Sequence, residues 1–464
     1  MRAFVASRYN FYVPVGDGAL LYNANTGAVL HLLGSDAPEF AKLLSGRVVE
    51  VEHEVVPEVL WSQLVGGGFL VESGTDELLL IRERFAKARG HTPLVLTLTT
   101  TMECNLGCFY CYEQRSGDRL GLADIPSIVA ATRDKLLSHP KKSLHVDWYG
   151  GEPLLNIEFL ENASLALQEM CRIERVAYHA SVISNGTVWP EDASGFVARH
   201  KIRQVQLSFD GMPENHNRRR RFRKGSHRTL VDTSFDRIVA LVDRLLDSVR
   251  VDLRFNIDRH NQDDLLPFVA FARDRGWFGR RYPAVIQPAR LAAYTERSAF
   301  LRPTEMSLAE YDALRELLRS TGGADLCLEE SEVPDGFPYP KTYVCAALAS
   351  RSEVIGADGL RYRCGLQVGE RLHAVGTIRS DGDQHFPDSD WWERFDPTTL
   401  PSCSRCSFLP ICWGGCPKKH LDKDQHALEE QSHYWRNNLP RLVASRFSLE
   451  PISGFAYSEE DQFR

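Results

Sequence analysis

Cys104, Cys108 and Cys111 stand in the spacing C-x3-C-x2-C inside the stretch LTLTTTMECNLGCFYCYE, residues 96–113. Iron in a 4Fe-4S cluster normally takes one cysteine per metal, so a three-cysteine loop suits such a cluster and leaves one iron open to another ligand. A closed zinc tetrahedron would need a fourth nitrogen or sulfur donor, and the nearest histidines along the chain are His91 and His139. About forty residues further on comes YGGEPLL, Tyr149 to Leu155. There Gly150 and Gly151 admit a ligand to the backbone with no Cβ in the way, Glu152 offers a carboxylate and Pro153 stiffens the turn. By itself the motif also reads as a plain turn between strand and helix. A second cysteine group follows late in the chain: Cys345, then Gly359 and Cys364, then Cys403, Cys406, Cys412 and Cys416 as C-x2-C-x5-C-x3-C. Four cysteines so spaced also satisfy a zinc knuckle. Cys171 falls inside a helical stretch and reads as core.

The elements that must position these residues alternate from about residue 92. Apolar strand candidates PLVLTLT, LHVDWYG, YHASVISNG, VQLSFDG, VDLRFNI and AVIQPAR are separated by helical stretches, which argues for parallel βα units. Six such units fit a partial (β/α)6 TIM-like barrel better than a closed eightfold one. The cysteine loop then follows the first strand, GGEP the second, Ser184-Asn185-Gly186 the third and Asp210-Gly211 the fourth, at the end where βα barrels gather their sites. Asn-Gly is also a turn signal that needs no ligand. Ser307 to Ser320 has helical spacing, and residues 322–342, rich in Gly, Pro and acidic residues, read as a linker. Residues 1–92 are organised differently: FYVPV, ALLYN and AVLHLL around the turn NANTG predict a small antiparallel sheet. Helices over Ala37–Leu44 and Pro57–Leu64, a strand FLVE and a charged helix over Thr75–Arg89 follow it.

With 464 residues the chain can hold two or three domains, and 43% hydrophobic with 25% charged residues is the composition of a soluble globular protein. The balance of 55 basic to 62 acidic residues, net -7, speaks against a general nucleic-acid binder. The basic run HNRRRRFRK lacks the interleaved aromatics of one and reads mostly as solvated surface. No apolar run approaches ~18 residues, and MRAFVASRYNFYVPV lacks a long apolar signal core, so the expected location is the cytoplasm, with no membrane partner. Reduced cytosolic thiols in such clusters read as metal ligands rather than disulfides.

The cysteine loop with Tyr110 before its third cysteine, together with GGEP, resembles the radical S-adenosylmethionine (SAM) enzymes. The resemblance implies that SAM chelates the open iron and that its reductive cleavage gives a 5'-deoxyadenosyl radical, which abstracts a substrate hydrogen. It further implies cofactor contacts from Tyr110, Gly150, Gly151, Glu152 (toward the SAM ammonium), Ser184, Asn185, Ser208 of the SxDG segment and Arg220, with His216 beginning the His-x-x-x-Arg pattern. The second cysteine group resembles the SPASM extension, a domain carrying auxiliary 4Fe-4S clusters. By that resemblance Cys345, Cys364 and Cys416 serve one auxiliary cluster and Cys403, Cys406 and Cys412 a second, for one or two auxiliary clusters in all. The usual seventh cysteine after the quartet is absent, leaving His420, Asp424, His426 or an open iron to complete the second, and Cys327 as a spare for the first. Residues 1–92 resemble in pattern the winged-helix-like α+β modules that bind precursor peptides; a structural cap is the other reading.

The expected layout is thus α/β: residues 1–92 for peptide recognition, 93–321 for the barrel, 322–342 a linker, 343–430 SPASM and 431–464 a tail. The expected activity is maturation of a ribosomally synthesised peptide whose leader binds the N-terminal domain, with flavodoxin or ferredoxin as reductant. The rivals are a sulfatase-type maturase making formylglycine, whose branch places an acidic residue where Gly365 follows Cys364, and a non-enzymatic zinc scaffold.

Overall fold

The computed structural model describes residues 3–45, 50–91, 93–113, 115–138, 143–225, 232–328, 337–379, 386 and 389–462. The chain forms two compact units, one from residues 1–91, 330–344 and 394–464, the other from residues 92–329 and 345–393.

In the first unit, strands β1 (Phe4–Ala6), β2 (Asn10–Val15), β3 (Gly18–Asn23), β4 (Val29–Leu33), β5 (Glu50–Val51) and β6 (Leu70–Glu72) make two antiparallel sheets, ordered β5-β1-β6 and β2-β3-β4. Gly18 is obligatory where β3 begins, because a Cβ there would sit 2.0 Å from the carbonyl oxygen of Leu32. The β3–β4 turn is an Asx turn: Asn23 Oδ1 accepts from the backbone N–H groups of Asn25 and Thr26, both at 3.0 Å. Helices α1 (Ala37–Leu44), α2 (Glu58–Gly66) and α3 (Glu77–His91) complete this part at the expected places. Ala41 and Leu44 of α1 pack with Ala19 and Leu21 of β3.

The end of the chain belongs to the same unit. Phe11 lies 4.7 Å from the Phe408 ring and 5.1 Å from that of Tyr457, whose hydroxyl donates to Tyr12 O at 2.8 Å. Tyr22 donates to the carbonyl of Pro338, and Lys341 N to that of Pro410 at 2.9 Å. Nothing in the periodicity of these segments signals the association, which joins positions hundreds of residues apart.

The second unit is built on a ten-stranded sheet ordered β13-β12-β11-β10-β9-β8-β7-β14-β15-β16. The six expected strands are β7 (Leu94–Thr99), β8 (Ser143–Tyr149), β9 (Ala177–Ser184), β10 (Ile202–Phe209), β11 (Arg250–Ile257) and β12 (Val285–Arg290). A short β13 (Cys327–Leu328) extends the parallel set beyond β12, so Cys327 sits in an edge strand; residues 329–336 of the expected linker lie outside the described residues. On the other side β14 (Glu353–Ile355) runs parallel to β7, followed by antiparallel β15 (Leu360–Tyr362) and β16 (Gly376–Thr377).

Helices α4 (Ile125–Ser138), α5 (Ile157–Ile173), α6 (Ala193–Arg199), α7 (Pro213–Arg219), α8 (Ser234–Leu245), α9 (Leu265–Asp274) and α10 (Leu308–Thr321) connect the strands. Ser307 caps α10 in a reciprocal capping box with Glu310. Strand β8 shows why the unit holds: Leu144, Val146 and Trp148 are buried in the core shared with Phe159, Leu160 and Leu167 of α5. Each such side chain contributes about 1.5–3 kcal/mol. His145, Asp147 and Tyr149 point the other way, and that inner face is polar: His145 Nε2 is 3.0 Å from Asp147 Oδ1, and Ser181 of β9 donates to Asp147. Cys171 is buried in the core, as its helical position suggests.

Candidate active site

The cysteine loop leaves β7 and has no regular structure of its own. Its shape comes from the ends of the neighbouring strands. Gly151 N donates to Thr101 O at 3.0 Å and Glu152 N to Glu103 O at 2.9 Å. A Cβ on Gly150, whose φ is +138°, would lie 2.4 Å from Thr101 O, and one on Gly151 would lie 2.4 Å from Glu103 O. The approach that excludes a side chain at both glycines is therefore that of the chain's own cysteine loop, not only that of a ligand. On the far side of the loop Gly107 N donates to Arg221 O at 2.7 Å and Arg223 N to Asn105 O at 2.9 Å, with Leu106 and Phe222 forming an antiparallel bridge. The basic run thus contributes its backbone here, while Arg218, Arg221, Arg223 and Lys224 present exposed side chains.

Glu152 is fully buried, and its carboxylate is engaged by the protein. Oε1 accepts from Ser184 Oγ at 2.9 Å and from Leu154 N at 3.2 Å, and Oε2 accepts from Asn185 N at 2.7 Å. Burial pushes its pKa up to about 7, against the pull of these donors. Glu152 therefore braces GGEP against the end of β9. Asn185 carries the brace onward: its Nδ2 donates to Asn105 Oδ1 at 2.8 Å and toward Cys104 Sγ at 3.6 Å, and its Oδ1 accepts from Thr187. Ser184-Asn185-Gly186 is thus more than a turn, although Gly186, at φ +75°, makes one.

A second buried network surrounds Tyr110. Its hydroxyl donates to Asp210 Oδ1 at 2.8 Å and accepts from Arg220 Nη1 at 2.6 Å, and Asn256 Nδ2 donates to Asp210 Oδ1 at 3.1 Å. Arg219 Nε reaches Asp210 Oδ2 at 3.3 Å, and its Nη2 reaches Asp258 Oδ2 at 2.8 Å. Burial opposes the charge of Arg220, yet Cys108, Tyr110 and Asp210 hold its pKa well above the ordinary value. Beneath lies His216, neutralised by burial, whose Nδ1 accepts from Asp210 N at 3.4 Å. Ser208 is half-buried on the inner face of β10, opposite Arg254 of β11. Sequence reasoning singled out Arg220 and passed over Arg219, Asn256 and Asp258. The available signal was positional: Asn256 and Asp258 close the fifth strand, at the same end as the other site residues.

Burial, followed by the nearby Glu152, pushes the Cys104 thiol up to about 12; burial, followed by Glu113, pushes Cys111 up to about 11. Thiols in such surroundings become good thiolates once a metal takes the proton's place. Among the described residues no three Cys, His, Asp or Glu side chains converge closely enough to hold a single metal ion. Cys345 and Cys364 flank β14 and β15 in the second unit, and Cys416 with the rest of the quartet lies in the first.

The model of the radical SAM superfamily matches residues 98–272, the stretch holding both networks. The chain carries a radical SAM domain. It is an enzyme on that ground, and the radical SAM chain is similar along most of its length to the mycofactocin maturase MftC of Mycolicibacterium smegmatis. The two are 25% identical over 338 residues, 70% of this chain and 78% of that protein. A cysteine-type anaerobic sulfatase-maturating enzyme of Clostridium perfringens is 28% identical over 123 residues, 25% of this chain and 33% of the other. Among solved structures, anSMEcpe with bound AdoMet aligns with a TM-score of 0.57 at 17% identity, covering 77% of this chain and 100% of that one, a likeness of fold. Radical SAM domains use a 4Fe-4S cluster and SAM, which when bound supply a 5'-deoxyadenosyl radical able to take a hydrogen atom from an unactivated carbon. The residues present fit this pair: three thiols share one loop, and Arg220 Nε beside it is a buried donor with no hydrogen-bond partner among the described residues. No helix among the described residues is long and apolar enough to cross a membrane.

Proposed function

We propose that this radical SAM enzyme is a peptide maturase, which takes a hydrogen atom from a ribosomally made precursor and so sets up a C–C or thioether cross-link or another side-chain or backbone modification. In this reading Cys104, Cys108 and Cys111 ligate the cluster, and Arg220 offers Nε to the SAM carboxylate. Gly150, Gly151, Asn185 and Ser208 border the cofactor, while Tyr110, Ser184 and Glu152 hold the loop and strand ends that border it. Cys403, Cys406 and Cys412 carry a further cluster, and flavodoxin or ferredoxin delivers electrons.

One observation carries the peptide reading: β4 pairs with β3 and has no other strand partner among the described residues. Asn23 N donates to Ala28 O, and Gly34 N to Asp17 O. By the alternation of an antiparallel ladder, the N–H and C=O groups of Val29, His31 and Leu33 therefore face outward. An extended leader can add to that edge, with main-chain hydrogen bonds giving affinity and alternate side chains giving selectivity. It would hold the core segment at high effective concentration.

Deletion of the N-terminal sheet is a poor test, because residues 394–464 pack on it. His31→Pro removes an outward donor, which an edge position tolerates; Leu30→Pro, whose N–H faces β3, is the control that breaks the sheet. His31→Pro is expected to weaken precursor binding at least tenfold by fluorescence anisotropy, with SAM cleavage retained. Mass spectrometry of precursor incubated with SAM and reduced flavodoxin reads the modification itself. Unaltered precursor in the presence of active SAM cleavage would sink the maturase reading. A sulfatase-type maturase is the second reading, favoured by the 28% identical local match; formylglycine formed on a sulfatase peptide would establish it.

A further inference from the structure

The quartet segment borders a cavity of about 530 Å³, lined by Cys403, Cys406, Cys412 and His420 on one side and by the helix Gln425–Ser445 on the other. Its backbone is unusual. Trp413, Gly414 and Gly415 are consecutive left-handed residues, at φ 50°, 74° and 77°. This curl turns the N–H groups of Gly414 and Gly415 toward Cys412 Sγ, which tempers the rise that burial imposes on its thiol. One buried donor on the lining helix, Arg436 Nε, has no hydrogen-bond partner among the described residues, while the Trp435 side chain on the same helix donates toward Cys412 Sγ. Buried N–H groups are ordinarily satisfied, so Arg436 Nε awaits an acceptor in the cavity. Cluster sulfur, backed by anionic thiolates, is such an acceptor.

We infer that His420 is the fourth protein ligand of this cluster, giving it three cysteines and one histidine; the inference rests on the reading that Cys403, Cys406 and Cys412 hold a cluster. Cys403 Sγ and His420 Nε2 each lie 3.5 Å from the point that a Cβ of Gly414 would occupy, so they are at most twice that distance apart. Cys412 directly precedes the same curl. Among the described residues no three Cys, His, Asp or Glu side chains converge on a single ion, so a polynuclear cluster rather than one ion would bridge these ligands. His420 Nε2 is 2.6 Å from Gly414 O, and because a carbonyl only accepts, Nε2 carries the proton. The lone pair is then on Nδ1, and the Nε2–H to carbonyl bond is the kind that orients a metal-ligating imidazole. The competing donors are otherwise occupied or placed. Asp424 Oδ1 caps Ala427 N at 3.2 Å and Oδ2 pairs with Lys419 Nζ at 2.7 Å. His426 does not line the cavity, while His433 does, from the helix opposite.

The test uses the full chain, anaerobically reconstituted with iron and sulfide, carrying Cys104→Ala, Cys108→Ala and Cys111→Ala so that the first cluster is absent, and labelled with 15N-histidine. Pulsed electron paramagnetic resonance of the reduced protein is expected to show 15N hyperfine coupling that survives His433→Ala and is lost in His420→Ala or His420→Cys. His420→Cys is also expected to keep the iron content and lower the reduction potential, since imidazole in place of thiolate raises it. A reduced cluster without 15N coupling overturns the assignment, as does coupling that persists in His420→Cys. No iron at all in the triple variant overturns the cluster reading itself, which separates the two failures.

Discussion

The loop of Cys104, Cys108 and Cys111 takes its shape from residues far along the chain, whereas the segment from Cys403 to Cys416 takes its shape mainly from its neighbours. The first is held through Gly151 and Glu152 after β8, Asn185 after β9, Asp210 after β10 and the backbone of residues 221–223. The second is held by three left-handed residues in succession and by short turns, with Cys406 N donating to Cys403 O at 3.1 Å and Cys412 N to Phe408 O at 3.0 Å. A site that must hold a cofactor against a substrate is assembled from many strand ends, which fix it in several directions at once. A site proposed only to hold a cluster can be written into one stretch of sequence.

The sharpest way to break this contrast is to remove ligands from each side in turn. Cys104→Ala, Cys108→Ala or Cys111→Ala is expected to abolish 5'-deoxyadenosine formation while iron at the quartet persists. Replacing Cys403, Cys406 and Cys412 together is expected to remove one cluster's iron and leave SAM cleavage. Loss of cleavage in that second variant would show that the two sites are not separable.

Next in size is Arg219→Leu, which leaves Asp258 buried without its guanidinium and Asp210 with that of Arg220 alone. Breaking a buried pair in this way costs about 3–5 kcal/mol. Chemical denaturation should show that loss, and electron paramagnetic resonance should show a disturbed first cluster beside an unaltered quartet cluster. An unaltered first cluster would mean that the loop does not depend on the distant network.

The smallest effect concerns Glu152. In the folded protein its pKa of about 7 lies above the ordinary carboxylate value, so the folded chain holds a proton that the unfolded chain has released. Its contribution is therefore full below the ordinary carboxylate pKa and is lost as pH rises toward about 7, by about 3 kcal/mol in all. Glu152→Gln should flatten that slope in denaturation midpoints measured across the window. Quartet variants such as Gly414→Ala should leave the slope as it is.

Much of this was legible in the residues. Alternation in LVLTLT or SLHVDWY marks a strand whose two faces meet different surroundings, and all six barrel strands lie where that pattern puts them. The Ser307–Glu310 capping box sets the start of α10 by local chemistry alone. Arg219 was not legible, because a charge in a basic run looks solvated until the fold brings Asp210 and Asp258 to it from two other strand ends. The glycines of GGEP were legible as positions needing a close approach, but the partner, the backbone at Thr101 and Glu103, is a tertiary fact. β13 and β14 are too short for their periodicity to speak. Selection of His420 over Asp424 needed the helix cap and the Lys419 pair, both visible only in three dimensions.

The contact between Tyr457 and Tyr12 spans 445 residues of chain. Translation at 5–20 residues per second puts roughly a minute between the emergence of the two. For that interval the sheet holding Tyr12 stands without the aromatic cover it will later share with Phe408 and Tyr457, and by its end every strand of the barrel has left the ribosome. The usual order of maturation, amino terminus first, is inverted: the middle of the chain can be finished before its beginning.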